Sequence, residues 1–211
     1  MKIVLTEIGK RYRQEWIFKA MDYTFETQNR YGVTGSNGSG KSTFLRLLSA
    51  AELSSCGKIE YFKSEGEKIQ ADQLFEHLCF AAPYIDLPEN LSATEVIHFH
   101  EKFKPSLALN SSSLLEEIGL EKSRNKMIKD FSSGMKQRLK LGLAITADAS
   151  FILLDEPCSN LDKDGIALYQ MLLDRYGKNK LIIIGSNDNQ NELYGVDKIL
   201  SIHQFKFSTN P

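Results

Sequence analysis

The stretch GSNGSGKST, Gly35 to Thr43, constrains the fold of this chain more than any other. It satisfies the spacing G-x-x-x-x-G-K-[ST] at Gly35, Gly40, Lys41 and Ser42, between a strand-like YGVT and a helical KSTFLRLLSA. Glycines let backbone N–H groups curl around phosphate oxygens, Lys41 brings charge to a β/γ-phosphate pair, and Ser42 offers a hydroxyl to Mg²⁺. Asn37, Gly38, Ser39 and Thr43 fill the remaining loop positions. A plain Gly/Ser turn is the competing account, and the strand before it and helix after it favour a nucleotide phosphate cradle.

The flanking patterns agree with such a loop. KIVL, EWIFK and MDYTFE read as strands, and GKIEYF as a further short one. From about residue 71 to 147 helical periodicity takes over in ADQLFEHL, SATEVIHFHEKF, SSSLLEEIGL and SGMKQRLKLGLAI. FILLDEP and KLIIIGS are buried-strand runs around a helix in DKDGIALYQMLLDRYG, and VDKILSI is a closing strand before a strand end and tail, FKFSTNP. Apolar strands alternating with helices predict an α/β fold with a largely parallel sheet. One domain is expected over 1–211, with 1–70 and 148–211 forming the core lobe and 71–147 an inserted helical subdomain.

Bulk properties narrow the function classes. The 211 residues are 42% hydrophobic and 25% charged, ordinary for a soluble globular chain. A net charge of −1 argues against a dedicated nucleic-acid binder. Three cysteines, Cys56, Cys79 and Cys158, have no metal-type or disulfide-framework spacing, which fits a reducing cytoplasm. The N-terminal apolar run is too short for a signal peptide, and the longest apolar runs are strand-sized, so a membrane role is expected through a partner. His77, His98, His100 and His203 form no ligand set, and EKFK at 101–104 reads as a solvated face.

Two further stretches carry chemistry. FILLDEPCSNLD ends a buried strand in Asp155, at the sheet edge where α/β proteins bind ligands, and Asp155 is placed to hold Mg²⁺. Glu156, the next residue, suits a general base acting on water. FSSGMKQRLKLG starts a helix with small residues, leaving N–H groups outward and suiting an anion.

In this order and spacing the residues resemble the nucleotide-binding subunit of ABC transporters over nearly the whole chain. GSNGSGKST resembles Walker A, FILLDEP Walker B, CSNLD (with Ser159 and Asp162) the D-loop, and FSSGM the LSGGQ signature. SSGMKQRL is similar to the branch continuing as GMKQRL, found with exporters of the ABC-2 type. The resemblance implies ATP and Mg²⁺ as cofactors and ATP hydrolysis powering transport. It implies a second ATP-binding subunit, identical or different, and a separate integral-membrane permease beneath which the protein sits on the cytoplasmic side. No nucleic acid is expected as partner. Ser132 and Gly134 would then cap the γ-phosphate of ATP held by the second subunit. Tyr12 matches the aromatic that stacks on adenine, with Trp16 as a nearby competitor.

The chain also departs from that family. A glutamine expected after a strand that follows Walker A is replaced, in FAAPYIDLPENLS, by Ala82 or Pro83. A histidine expected after the strand following Walker B is replaced by Asn187, which can hydrogen-bond a phosphate but cannot carry positive charge. In the signature Phe131, Ser133 and Met135 stand for Leu, Gly and Gln, and Ser133 matters only if its position needs a positive φ. A competent but slow ATPase is expected, since Lys41, Ser42, Asp155 and Glu156 remain. A degenerate nucleotide-binding module is the alternative. A DNA- or ribosome-acting ATPase fits the charge and length poorly, and a small-molecule kinase leaves FSSGM and CSNLD unexplained.

Overall fold

The computed structural model describes residues 1–106 and 110–206. Two sheets and a helical layer enclose two apolar cores. Strands β1 (Lys2–Tyr12), β2 (Glu15–Glu26), β4 (Cys56–Phe62) and β5 (Lys68–Ile69) form an antiparallel sheet in the order β2-β1-β4-β5. Strands β6 (Leu78–Ala81), β7 (Phe151–Asp155), β8 (Leu181–Ser186), β3 (Arg30–Thr34) and β9 (Lys198–Ser201) form a parallel sheet in the order β6-β7-β8-β3-β9. The expected parallel core is therefore present. EWIFK and MDYTFE are one strand, not two. Register shifts in the β1–β2 ladder and a positive φ of 55° at Ala20 absorb the irregular alternation.

β7 and β8 show why continuous apolar runs suit this sheet. Phe151 and Leu153 face one core with Leu181 and Ile183, while Ile152 and Leu154 face the other with Ile182 and Ile184. Both faces are covered, so polar residues have no side to occupy. One core is closed by α1 (Lys41–Leu48) and the antiparallel sheet, through Phe18, Phe25, Phe44 and Leu45. The other is closed by α2 (Ala93–Glu101), α3 (Ser111–Glu117), α4 (Ser133–Thr146) and α5 (Lys163–Tyr176). Local capping sets the starts of α2 and α3. Ser92 and Glu95 form a reciprocal capping box, and Asn110 Oδ1 accepts from Ser113 N at 2.9 Å.

Two expectations fail in the middle of the chain. ADQLFEHL is not an α-helix: Ala71–Glu76 is a 3₁₀ segment, and the chain then enters β6 at Leu78. Pairing of Leu78–Ala81 with Phe151–Leu154 at the sheet edge overrides the local helical spacing. EKFK is not wholly a solvated face either. α2 ends at Glu101, and the backbone N–H groups of Phe103 and Lys104 both return to His100 O. Lys104 is buried against Leu78 and Cys79, with no hydrogen-bond partner for its Nζ, while Phe103 is exposed. FKFSTNP lies partly outside the described residues. Within them, Ile202–Phe205 is a 3₁₀ turn and Lys206 follows it.

Candidate functional site

The loop after β3 wraps around its own lysine. Lys41, at the start of α1, is buried, and its Nζ donates to Gly35 O at 2.8 Å and Ser36 O at 3.1 Å. It also donates to the Asn187 side-chain carbonyl. Gly40 has a φ of 110°, and a Cβ there would collide with Ile17 Cγ2, so glycine is required on both counts. Gly38, at φ 74°, faces open space, leaving its backbone accessible. Ser39 is buried with its Oγ unpartnered.

The end of β7 supplies the acids. Asp155 is 1% exposed and neither carboxylate oxygen has a hydrogen-bond partner. Burial pushes its carboxyl above the usual range, opposed by the neighbouring Ser42 and Tyr84 hydroxyls and by Lys41. A buried carboxylate without partners is costly in isolation. That makes it a fitting ligand for a hard divalent cation such as Mg²⁺, with Ser42 as second oxygen donor. Among the described residues no group of three or more His, Cys, Asp and Glu side chains is placed to hold a metal. The remaining ligands must then come from nucleotide phosphate or water, the usual arrangement for Mg²⁺.

Glu156 has a φ of 44°, a left-handed conformation costing a non-glycine residue about 1 kcal/mol. Its N–H donates to Gly185 O at 2.9 Å, so the turn is fixed by the neighbouring strand β8. Its Oε1 accepts from Asn187 Nδ2 at 3.1 Å, and the same amide nitrogen donates to Asn37. Asn187 thus links the loop, its lysine and Glu156. A narrow cleft lined by Asn37, Gly38, Gly40, Lys41, Ser42, Thr43, Ile17 and Glu156 opens at this point.

Beside it lies a larger cavity of about 500 Å³, lined by Gln14, Glu15, Trp16, Ile17, Gly38, Ser39 and Lys206. Trp16 is on its wall and Tyr12 is not. The hairpin register sets Tyr12 opposite Glu15, and its hydroxyl is tied to Glu52 under the ammonium of Lys10, 4.9 Å from the ring centre.

A second cleft, about 470 Å³, is lined by Gly119, Leu120, Ser123, Ser132, Ser133, Gly134, Met135, Arg138, Asn160 and Asp162. Ser132 is the N-cap of α4, its Oγ accepting from Met135 N at 3.2 Å. Ser133 has no positive φ, so a serine there is unstrained. Gly134 lies against Asn160, where a Cβ would approach the backbone O to 3.0 Å. Arg138 pairs with Asp162 at 2.7 Å, and Asp162 caps α5 through Gly165 N at 2.8 Å. Ser159 Oγ is 3.5 Å from Glu156 Oε2. The second cleft shares no lining residue with the first.

Two residues near the site escaped the sequence reading. His203, beyond β9, accepts Ser36 N–H through Nε2 at 3.2 Å and so braces the loop from behind. Tyr84, after β6, stands beside Asp155 and Ser42. No local motif marks either; only the parallel pairing brings them near.

This parallel sheet with a glycine-rich loop between strand and helix, and acids at the end of the adjoining strand, defines a P-loop nucleotide-binding protein. The ABC transporter family profile matches residues 18–159. The chain belongs to that family, as its ATP-binding subunit. It is 29% identical over 212 aligned residues to the uncharacterised ABC transporter ATP-binding protein YybJ of Bacillus subtilis, covering 99% of this chain and 95% of that one. It is 30% identical over 186 residues to the bacitracin transport ATP-binding protein BcrA of Bacillus licheniformis, covering 86% of this chain and 60% of that one. The fold matches the dimeric post-hydrolysis structure of the ATP-binding cassette MJ0796 bound to ADP and Pi, with a TM-score of 0.79 at 19% identity, over 94% and 93% of the two chains.

Proposed function

We propose that this subunit hydrolyses Mg²⁺–ATP at a site completed by a second ATP-binding subunit, and that it powers a separate membrane permease, as an exporter. The observation that carries the reading is the Asp155 carboxylate, buried with both oxygens unpartnered beside Ser42 and the Lys41 loop. Lys41 and the loop N–H groups would hold the phosphates, and Ser42 and Asp155 the cation. The cation supplies charge neutralisation on the transferred phosphoryl group. Glu156 would polarise the attacking water, and Asn187, hydrogen-bonded to Glu156 and Lys41, would offer the phosphate a neutral hydrogen-bonding group. For the base, Trp16 lines the larger cavity and Tyr12 does not. Binding of ATP therefore changes the fluorescence of the single tryptophan.

Ser132 and Gly134 act on a nucleotide in the partner. Their cleft is separate from the loop on the same chain, and the N-terminus of α4 suits an anion. Among the described residues no helix is long and apolar enough to cross a membrane, which supports a peripheral position beneath a permease. A relative named as a cytochrome c biogenesis ATP-binding export protein favours the export direction. We read the chain as one ATPase domain in which 71–147 forms the helical lobe but lends β6 to the core sheet. A gating module with little turnover is the second reading, supported by Ala82, Pro83 and Asn187 at the altered positions.

Steady-state phosphate release decides between these readings. Glu156→Gln is the control, with and without the membrane partner. Slow release above that control is expected; release equal to it under both conditions would overturn the ATPase reading for this chain.

A further inference from the structure

The turn leaving β6 is held by three hydrogen bonds. Ile85 N donates to Ala82 O at 3.2 Å, and Lys140 Nζ, from α4, donates to the carbonyls of Ala82 and Pro83 at 3.2 and 3.3 Å. Neither Ala82 nor Pro83 has a side-chain hydrogen-bonding group to offer the site. The next residue does.

The Tyr84 ring meets Phe80 edge-on, with centroids 6.3 Å apart and an interplanar angle of 88°. The Arg46 guanidinium, from α1, lies 5.8 Å from the Tyr84 ring centre. Against these groups, the phenol stands beside Asp155 and Ser42, at a buried carboxylate whose oxygens make no hydrogen bond of good geometry. A phenol can both donate and accept, as a primary amide can.

We propose that Tyr84 is a positioning residue of the ATPase site, its hydroxyl hydrogen-bonding in the Asp155–Ser42 corner when divalent cation and nucleotide are bound. It takes over the task of the missing glutamine amide. The inference rests on the ATPase reading above, so its test separates metal binding from nucleotide binding and from turnover. Lys140 ties this turn to the signature helix, so the placement of the phenol also depends on α4.

The test uses the full chain carrying Glu156→Gln, so that ATP persists. ATP affinity without metal is read from Trp16 fluorescence, and Mn²⁺ half-saturation in the presence of ATP by electron paramagnetic resonance. Tyr84→Phe keeps the ring contacts with Phe80 and Arg46, and thermal melting confirms that the fold persists. It is expected to leave metal-free ATP affinity unchanged and to weaken Mn²⁺ half-saturation about tenfold, as loss of outer hydrogen-bonding partners does. Tyr84→Gln restores most of the loss and Tyr84→Leu does not. Mn²⁺ half-saturation in Tyr84→Phe equal to that of the parent overturns the proposal. Failure of the parent itself to bind Mn²⁺ with ATP overturns the ATPase reading, and this inference with it.

Discussion

The loop cleft and the signature cleft are built on opposite electrostatic plans. The first is lined by a buried ammonium, and the residues adjoining its lining in sequence bring a buried carboxylate, Asp155, and a buried serine hydroxyl, Ser39, neither of them with a hydrogen-bond partner. The second is internally satisfied: Ser132 caps its own helix, Arg138 pairs with Asp162, and Asp162 caps α5. Orphaned polar groups inside a protein are costly and await a ligand. A satisfied helix start has only its outward N–H groups to contribute. On the function proposed above, the first cleft binds by itself and the second adds to a ligand delivered by another chain.

Substitutions can break this contrast. The largest effect expected is on turnover: Glu156→Gln lowers phosphate release about 10²- to 10⁴-fold, the range for loss of a general base. Lys41→Ala is expected to weaken ATP binding about 10- to 100-fold, as loss of charged hydrogen bonds does, measured by calorimetry on the isolated subunit. Ser132→Arg sharpens the contrast by doing the opposite. It leaves ATP binding to the isolated subunit intact and abolishes ATP-driven dimerisation in a Glu156→Gln background, read by size-exclusion chromatography. Dimerisation surviving in that variant would remove the second cleft from the nucleotide.

Stability effects are smaller. Ser132→Ala removes the cap of α4 at a cost of about 1 kcal/mol, seen as a melting temperature lowered by about 2–4 °C. At the other end of the same helix, Lys180 Nζ donates to the carbonyls of Ile145 and Ala147, each at 2.7 Å. Burial lowers its pKa to about 8 from 10.5. The unfolded chain therefore holds this proton more tightly than the folded one. The penalty is full below about pH 8 and is relieved as pH rises toward 10.5, so this group makes stability increase across that window. Melts of Lys180→Met against the parent should lose that increment.

What was legible in the sequence follows from how local each feature is. The phosphate loop needs its glycines and lysine at fixed spacing, and Gly40 shows why: positive φ and a collision with Ile17 leave no other residue. Asp155 was readable because an apolar run of strand length must end at the sheet edge. β6 was legible only through the family resemblance, because Leu78–Ala81 follows a run with helical spacing and becomes a strand by pairing with β7. Tyr84 and His203 reach the site through the β6–β7 and β3–β9 pairings, contacts between residues far apart in sequence. Lys104 looked solvated because a lysine in a charged run usually is, and the turn after α2 buried it.

The separation of the two clefts has a consequence for inheritance. On the head-to-tail reading with two copies of this chain, one chain carrying Lys41→Ala and another carrying Ser132→Arg are each inactive alone. Paired with each other, they concentrate both lesions in one composite site and leave the other intact. Two defective alleles of this one gene should therefore complement each other partially, as alleles of a gene for a self-sufficient monomer would not.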